Sequence, residues 1–468
     1  MSKLCTTLRS AMEKAGLTSG MTISFHHHLR NGDHVLNMVL AEAAAMGIRD
    51  LTVQASSLFD IHAPLIDHIK SGVVTGVEAN YIGQLVGREL SLGLLDKPVV
   101  FRSHGGRPAA IESGRVHIHI AFIAAPTADC QGNLNGLYGP SACGSLGYAF
   151  SDARCADRVV AITDNLVPYP AMPASIEETV VDYVVPVESI GDPKGIVSGT
   201  TRITRDPVGL LIARYAAEVI RHSGLLKDGF SFQTGAGGAS LAVTRYLAPI
   251  MKELGVKGSF GLGGITGYMV DMLQEGYFQK LLDVQCFDLK AVESIRDNPS
   301  HQEISAVRYA SPDAKTAAVN NLDAVILGAT QVDEGFNVNV HTDSNGFIMG
   351  GSGGHSDTAA GAKLAMIVAP LFRARLPIVV DKVITTSTPG STVDVLVTQR
   401  GIAVNPARQE LAHSLKAAGL PVYPIHDLRS MAERLTGVPR PVARGNRVVA
   451  KVEYRDGSLL DEIYQAKD

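Results

Sequence analysis

The sequence has no tryptophan, only five cysteines and no excess of either charge. Its 468 residues include 42 Lys and Arg against 46 Asp and Glu, which gives a net charge of −4. A chain so close to neutral is not expected to wrap nucleic acid or to bind an anionic membrane surface. With 46% hydrophobic and 19% charged residues, it is not expected to be disordered either. Composition therefore favours a folded protein that acts on small molecules or other proteins.

Long apolar runs are also missing. No uncharged stretch of about 20 apolar residues occurs, so no transmembrane helix is expected. The first 20 residues lack the continuous apolar segment of a signal peptide. The cysteines are odd in number and form no C-x-x-C pair, which favours reduced thiols over disulfides or a zinc site. We therefore expect a cytoplasmic protein without a metal site of its own.

Glycine, in contrast, is abundant, with 47 residues, and short β-branched runs alternate with helical patterns along the chain. The alternation predicts α/β domains with mostly parallel sheets. The helix predicted over 208–220 has Asp206 as its N-cap, Pro207 at its first position and Gly224 beyond its end. The predicted strands are Met21–Phe25, Leu51–Gln54, Val116–Ala124, Val159–Thr163, Phe230–Gln233, Ala324–Leu327 and Ile378–Val383.

The two halves of the chain resemble each other. An Asp-x-x-x-Asn-x-Asn pattern follows a strand twice, with Asp129 and Asp333 lying 204 residues apart. Ser24-Phe-His26 is echoed by Ser231-Phe-Gln233. The repeat predicts two structurally related domains, 1–200 and 201–468, joined by residues 185–200. Two helices (407–417 and 427–435) and a hairpin (447–454 with 459–464) are expected to extend the second domain.

The most unusual local run is Phe25-His-His-His-Leu-Arg-Asn31. Three imidazoles, a guanidinium and an amide after a strand are expected to form a cationic cradle that holds a polycarboxylate through charge-assisted and bidentate hydrogen bonds. This makes His26, His27, His28, Arg30 and Asn31 candidate substrate-binding residues. A polar loop with incidental histidines is the alternative. The alternating His117 and His119 are expected to line one face of a sheet.

Two glycine-rich loops follow in the second half. Gln233-Thr-Gly-Ala-Gly-Gly-Ala-Ser240 ends a strand and opens a helix, so backbone amides at Gly235, Gly237 and Gly238 are candidates for stabilising an oxyanion. Ser240 replaces the third glycine of a dinucleotide fingerprint, which disfavours NAD, and a tight turn without ligand remains open.

The second glycine-rich loop is Gly350-Gly-Ser-Gly-Gly-His-Ser-Asp357. It contains G-x-S-x-G, the serine-hydrolase elbow, but only a three-residue strand precedes it. A loop lying on a cofactor is the favoured interpretation. Its candidate residues are Gly350, Gly351, Ser352, Gly353, Gly354 and His355. The carboxylate nearest a repeated motif, Glu334, is the candidate nucleophile if the chemistry is covalent.

These motifs together resemble the CoA-transferase superfamily. With Gly20–Asp33, Gly258–Gly267 and Thr386-Ser-Thr-Pro-Gly390, the whole chain is similar to the citrate lyase alpha-subunit family within it. The resemblance implies two α/β domains with the active site between them. It also implies exchange of acetate for citrate on the thioester of an acyl carrier protein, in a complex with a carrier (gamma) subunit and a lyase (beta) subunit.

The resemblance further implies the chemistry and its cofactors. The carrier bears a phosphoribosyl-dephospho-CoA arm, no cofactor is bound covalently to this chain, and any Mg²⁺ demand belongs to the lyase subunit. Superfamily members that form a glutamyl thioester carry a glutamate shortly after the strand that follows the glycine-rich loop. Residues 259–266 contain no carboxylate, so a mixed acetyl–citryl anhydride is expected instead. An acyl-CoA hydrolase, a glutamyl-thioester transferase and a non-catalytic carrier scaffold are the alternatives.

Overall fold

Two large β-sheets form the framework of the computed structural model, which describes residues 3–197 and 201–467. The strands are β1 Thr22–Phe25, β2 Leu51–Ala55, β3 Val74–Ala79, β4 Val99–Phe101, β5 Ile120–Ala124, β6 Thr127–Asp129, β7 Leu134–Asn135, β8 Arg158–Thr163, β9 Leu166–Val167, β10 Tyr183–Pro186, β11 Ser231–Thr234, β12 Gly258–Ile265, β13 Phe278–Cys286, β14 His301–Glu303, β15 Ala324–Leu327, β16 Gln331–Asp333, β17 Val338–Asn339, β18 Leu364–Val368, β19 Phe372–Arg373, β20 Leu376–Pro377, β21 Val379–Val380, β22 Val395–Thr398, β23 Gly401–Val404, β24 Arg444–Glu453 and β25 Leu459–Ala466. The helices are α1 Leu8–Lys14, α2 Val35–Ala45, α3 Leu65–Lys70, α4 Gln84–Ser91, α5 Gly106–Glu112, α6 Phe150–Cys155, α7 Pro207–Arg221, α8 Gly238–Leu254, α9 Gly267–Gln274, α10 Leu289–Asp297, α11 Ala306–Ala310, α12 His355–Gly361, α13 Gln409–Ala417 and α14 Ile425–Thr436.

The two sheets have the same strand order. The first runs β10-β8-β5-β1-β2-β3-β4-β24-β25 and the second runs β14-β13-β12-β11-β15-β18-β22-β23. In the reverse direction, strands β22-β18-β15-β11-β12-β13-β14 of the second sheet correspond to β10-β8-β5-β1-β2-β3-β4 of the first. Every neighbouring pair within these two series is parallel. Each half adds a three-stranded sheet, β7-β6-β9 or β17-β16-β21. The predicted pair of related α/β domains is therefore confirmed.

The central strands are apolar because they are covered on both faces. Every residue of β5, β15 and β18 is buried. Parallel sheets need this, since the helices that connect their strands pack on both sides. The predicted helix over 208–220 appears as α7, where the Asp206 carboxylate accepts a hydrogen bond from the Gly209 amide at 3.1 Å.

Two predicted strands are shorter than expected. The strand over 116–124 begins only at Ile120, because the Val116 amide bonds to the Ala110 carbonyl at the end of α5. His117 and His119 lie before β5 begins. Their rings stack with centroids 4.5 Å apart, His117 pairs with Asp157 at the surface, and His119 accepts a hydrogen bond from the Thr22 amide. The strand over 378–383 is only Val379–Val380, in the small sheet beside β16.

The C-terminal hairpin forms as predicted but in a different place. It was expected to extend the second half, whereas β24 pairs in parallel with β4 of the first sheet, with Ala450 beside Val99 and Val452 beside Phe101. The chain therefore returns to its first half after completing the second. The connection between halves also contacts the first half: His34 bonds to the Ile190 carbonyl. Its last part, residues 198–200, lies outside the described residues.

All five cysteines lie within the described residues and carry free thiols. Within residues 3–197 and 201–467, no helix combines the length and apolar character needed to cross a membrane.

Candidate functional site

The candidate site lies where the carboxyl edges of the two sheets meet. In the first sheet β1 lies between β5 and β2, and in the second β11 lies between β15 and β12, so the chain crosses to opposite sides of each of these strands. Ligands of open α/β sheets bind at such switch points. His26 directly follows β1, and Gln233 lies in β11. The predicted histidine run and the first glycine-rich loop therefore mark equivalent points of the two halves.

Hydrogen bonds join the two edges. The Gln285 side chain donates to the His27 carbonyl at 3.0 Å, and the His104 amide donates to the Gly353 carbonyl at 2.8 Å. Gln285 is the penultimate residue of β13 in the second half, while His27 and His104 follow β1 and β4 of the first. The site is thus built from both halves, as expected.

The three histidines form a compact buried cluster. His26 Nδ1 and His28 Nδ1 lie 2.6 Å apart, and His27 Nδ1 lies 2.5 Å from the Ser56 hydroxyl. The His27 ring stacks on Tyr148, with ring centroids 4.7 Å apart. Consecutive side chains on an extended chain point in different directions, and here neighbouring elements fold around each of them.

Burial keeps these imidazoles neutral. It lowers the pKa of His26 to about 4 and that of His104 to about 3, and it lowers the pKa values of His27 and His28 well below the usual range. The expectation of a cationic histidine cradle therefore needs correction. The imidazoles are neutral hydrogen-bonding groups, because an imidazolium would be desolvated there.

Arg30 supplies the positive charge. Its guanidinium carbon lies 4.6 Å from the ring centroid of Phe287 and 5.3 Å from that of Phe59. Burial lowers its pKa to about 10, so it remains charged at neutral pH. The residue has φ +51°, a left-handed conformation that a non-glycine residue adopts at a cost and that is frequent at functional sites.

Asn31 does not share this environment. It is exposed, and its side-chain oxygen accepts the Ile61 amide at 3.1 Å. The position therefore stabilises the loop between β1 and α2 and lies outside the buried cluster.

Several buried polar atoms at this interface lack protein partners. Among the residues that the structure describes, His26 Nε2, His104 Nδ1 and Gln233 Oε1 make no hydrogen bond. Buried polar atoms are almost always paired in folded proteins, so a cluster of exceptions indicates a place for a polar ligand. The other end of the Gln233 amide donates to the Tyr309 hydroxyl at 2.9 Å.

Tyr148 and Tyr309 add hydroxyl groups to the site. Burial raises the pKa of both phenols, so both stay protonated and act as donors. Sequence reasoning missed these tyrosines together with His104 and Phe287. Two features of the sequence could have pointed to such residues. His104 and Phe287 follow β4 and β13, at the carboxyl ends of parallel strands, and the Ser-Phe-Gln echo points to Gln233.

The first glycine-rich loop closes the crevice between β11 and β15. The Gly235 amide donates to the Ile326 carbonyl at 2.6 Å, so it is not available for the oxyanion role that was expected of it. Gly237 is the N-cap of α8, and Gly238 is its first residue. Amides at the start of a helix have no intrahelical acceptor, which leaves Gly237 and Gly238 as candidates.

The second glycine-rich loop is packed against the first half. Gly350 accepts the Ile82 amide at 3.1 Å, and the Gly353 amide donates to the Asn80 carbonyl at 3.3 Å. Ser352 and His355 are buried, and the Ser352 hydroxyl bonds to Ser356 instead of a histidine. The arrangement disfavours a hydrolase elbow. Whether the loop contacts a cofactor stays a prediction.

The buried Asp357 ends this loop and holds His104 in place. Its carboxylate accepts the Ser103 hydroxyl and the Gly105 amide, both at 2.8 Å, on either side of His104. Arg455, from the turn of the C-terminal hairpin, lies 3.6 Å from the same carboxylate. Burial raises the pKa of Asp357 to about 6. One carboxylate thus connects β4, α12 and the hairpin.

Gly264 makes room for the ring that stacks on Arg30. A Cβ at this position would lie 2.8 Å from Phe287 Cδ2 and closer still to Cε2 and Cζ. The register of β12 and β13 shifts between Gly263 and Gly264. Glycine in this bulge therefore permits the close approach of Phe287.

The repeated Asp and Asn residues build turns. Asp129 accepts the Asn133 amide at 3.2 Å, and Asp333 accepts the Asn337 amide at 3.0 Å. The second copy lacks glycine before its Asn, and Phe336 adopts φ +63° there. The Asx-turn interpretation of this motif fits these contacts.

Glu334 lies on the outer side of the second half. Its carboxylate pairs with Arg429 at 3.2 Å, and the same guanidinium bonds to Asp381 at 2.6 Å. This ion-pair cluster, in which Glu334 and Arg429 are half-buried and Asp381 is exposed, contains no histidine of the buried site. Within the described ranges, no three His, Cys, Asp or Glu side chains are arranged to hold a metal ion.

Comparison with known proteins agrees with this architecture. The model of the family "Citrate lyase, alpha subunit (CitF)" matches residues 1–466. The citrate lyase alpha chains of Klebsiella pneumoniae and Escherichia coli K12 are 53% and 51% identical over 466 residues, covering 100% of this chain and 92% and 91% of theirs. The chain belongs to the citrate lyase alpha-subunit family. It is therefore a component of an enzyme, citrate lyase.

Solved structures support the same family. A crystal structure from Streptococcus mutans, described as the alpha subunit of citrate lyase in complex with citrate, is 50% identical, with a TM-score of 0.98 over 100% of this chain and 92% of that one. A Pseudomonas malonate decarboxylase hetero-tetramer structure gives a TM-score of 0.70 at 17% identity, over 94% of this chain and 88% of that one. The latter likeness shows the CoA-transferase-like fold alone.

Proposed function

We propose that this chain exchanges acetate for citrate on an acyl-carrier thioester. The observation that carries the proposal is the buried site between the halves. It combines the Arg30 charge with three polar atoms, on His26, His104 and Gln233, that have no described partner. A polyanion with several oxygens and a hydroxyl meets these needs, and the S. mutans relative was crystallised with citrate. The Arg30 charge and hydrogen bonds from the site would offset the cost of burying the ligand's carboxylates.

The proposed reaction has two substitution steps. A citrate carboxylate oxygen attacks the acetyl thioester carbonyl, the carbon–sulfur bond breaks, and the thiolate leaves a mixed acetyl–citryl anhydride. The thiolate then attacks the citryl carbonyl of the anhydride, which forms citryl thioester and releases acetate. No external oxidant or metal is consumed. The scheme needs no enzyme nucleophile, which agrees with the lack of a carboxylate in residues 259–266.

The chain's own residues bind citrate, stabilise the charge that develops on the carbonyl oxygens and exclude water. Arg30 and the neutral imidazoles of His26, His27 and His28 are assigned to citrate. The tyrosine hydroxyls of Tyr148 and Tyr309 and the free amides at Gly237 and Gly238 are assigned to the charge that develops on each carbonyl oxygen. Contact between the halves excludes water, which would otherwise hydrolyse the anhydride.

The pantetheine part of the carrier's arm is proposed to lie along the second glycine-rich loop. Gly353 borders His104, and Gly354 borders the Tyr309 hydroxyl, so backbone at Gly350–Gly354 lies beside the reacting region. In the complete enzyme the arm would be the phosphoribosyl-dephospho-CoA group of a gamma carrier subunit, and a beta subunit would cleave the citryl thioester. Any Mg²⁺ is assigned to that lyase step, and the complex to the cytoplasm.

The test uses the isolated chain with acetyl-CoA and citrate. We expect citryl-CoA and acetate in equal amounts, measured by mass spectrometry. Acetate release without citrate would indicate an acyl-CoA hydrolase, and binding of carrier without any exchange would indicate a scaffold. Citramalate in place of citrate tests whether the site discriminates between acids that differ in one polar group.

Two further measurements separate the mechanisms. Arg30→Ala is expected to raise the KM for citrate about tenfold or more, since a charge-assisted contact contributes ~1.5–3 kcal/mol. The matched control is Arg400→Ala, which removes an exposed guanidinium from a surface turn. Borohydride treatment after acyl-CoA should reduce no glutamate; a reduced Glu334 and lost activity would establish a glutamyl thioester instead.

A further inference from the structure

A basic cleft opens beside the first glycine-rich loop. It has a volume of about 870 Å³ and lies between residues 202–205, α8 and α9. Three arginines line it: Arg202, Arg205 and Arg245. All three are exposed, and none has an ion-pair partner within 4.0 Å among the residues that the structure describes.

The charge in the cleft is positive. Its carboxylates are Asp271, which already pairs with Lys290, and Glu275. The chain as a whole has a net charge of −4, so a group of three unpaired guanidiniums is a local exception. A bound anion would neutralise this local excess of positive charge, and guanidinium groups match the geometry of phosphate oxygens.

The cleft is joined to the candidate site by backbone contacts. The Thr204 amide donates to the Gly238 carbonyl at 3.1 Å, at the first turn of α8. The Ile203 amide donates to the Tyr268 hydroxyl at 3.4 Å, in the first turn of α9. The arginine-bearing segment therefore spans the carboxyl ends of β11 and β12, beside the crevice that Gly235 closes.

We propose that Arg202, Arg205 and Arg245 bind the phosphate groups of the thioester donor. The inference rests on the proposed function, because it takes the donor to be a nucleotide-bearing thioester. With the thioester carbon at the buried histidines, the phosphate-bearing end of the arm would lie in the solvent-accessible cleft. The glycine-rich turn of Gly235–Gly238 separates the two regions. The interaction is electrostatic and belongs to ligand binding, not to the chemical step.

The test compares two acetyl donors that differ in their phosphates. Acetyl-CoA carries them, and S-acetyl-pantetheine has none. Arg202→Ala, Arg205→Ala, Arg245→Ala and the triple variant are assayed with both donors at saturating citrate. We expect the triple variant to raise the KM for acetyl-CoA by at least tenfold and to leave the KM and kcat for S-acetyl-pantetheine within twofold of the unmodified chain. Arg400→Ala is the matched control.

Binding is measured separately from turnover. Isothermal titration of CoA into the citrate-free chain should weaken at least tenfold in the triple variant and should weaken in the unmodified chain as salt rises. If exchange fails but CoA binding depends on the three arginines, the proposed function is wrong and the phosphate site stands. Equal affinities for CoA in the triple variant and the unmodified chain would overturn the site, as would an equal loss with S-acetyl-pantetheine.

Discussion

The packing of Phe287 on Gly264 makes a sharp prediction about Gly264→Ala. The added Cβ would lie 2.8 Å from Phe287 Cδ2, tighter than ordinary van der Waals contact, and still closer to the outer ring atoms. The ring cannot stay in place, because β12 and β13 pair along this stretch. The ring must rotate or shift away from Arg30, whose guanidinium now lies 4.6 Å from its centroid.

Two separate losses are expected. Overpacking of a well-filled region costs about 1–3 kcal/mol of unfolding free energy. Loss of the cation–π contact between Phe287 and Arg30 removes a further ~1–2 kcal/mol of the interaction energy that positions the guanidinium in this desolvated site. If citrate binds there, that second loss corresponds to a citrate KM raised by about five- to thirtyfold.

The assays are urea unfolding and the citrate dependence of citryl-CoA formation. A second variant, Gly264→Ala with Phe287→Leu, relieves the overlap without restoring the ring. It should regain stability while keeping the raised KM. The matched control is Gly445→Ala, whose Cβ would have Gln465 Cβ as its nearest contact at 3.4 Å. Unfolding of Gly264→Ala at the same urea concentration as the unmodified chain would refute the reasoning.

Three other results are expected. Burial lowers the pKa of His26 to about 4, so below pH 6.5 the unfolded chain binds a proton that the folded chain does not. His26 should therefore contribute at most roughly 1.4 kcal/mol per pH unit to the loss of stability in acid, and His26→Gln should reduce the total slope in urea midpoints between pH 7 and 5. Asp357→Ala leaves the Ser103 hydroxyl and the Gly105 amide without their buried acceptor and removes the carboxylate that faces Arg455, so it should cost about 3–5 kcal/mol of unfolding free energy. Asp357→Asn keeps an acceptor and should cost less; equal losses would contradict this role. Glu334→Gln removes a half-buried ion pair with Arg429, whose guanidinium keeps Asp381 as a partner, so it should cost about 1 kcal/mol or less and leave citryl-CoA formation unchanged. Lost activity would return Glu334 to the mechanism.

Part of the site was predictable because it follows local rules. The run from His26 to Arg30 and the Gly235–Gly238 loop each follow a strand, and ligands of parallel sheets bind at the carboxyl ends of strands. The echo of Ser-Phe-His by Ser-Phe-Gln predicted that the two positions are equivalent, and His26 and Gln233 do lie at equivalent switch points.

Other features depend on residues far apart in the chain. Tyr148 and His104 meet His27 only after folding, because Tyr148 precedes α6 and His104 follows β4. The neutral state of the histidines was missed for the same reason, since desolvation depends on everything packed around an imidazole. The sequence likewise did not predict that the hairpin joins the first sheet, because the edge strands of the two halves have similar sequence patterns.

Sequence by itself determined the α/β class, the internal repeat and the histidine and glycine loops, because hydrophobic periodicity, capping residues and turn residues act over a few positions. Tertiary structure alone decided which loops meet, which groups stay neutral and where the last hairpin adds its strands. It placed the Arg30 guanidinium near the rings of Phe59 and Phe287. It also placed the Asp357 carboxylate where it accepts hydrogen bonds from Ser103 and Gly105, the two neighbours of His104 in the chain. These outcomes come from burial and from contacts between distant segments, which short sequence windows do not contain.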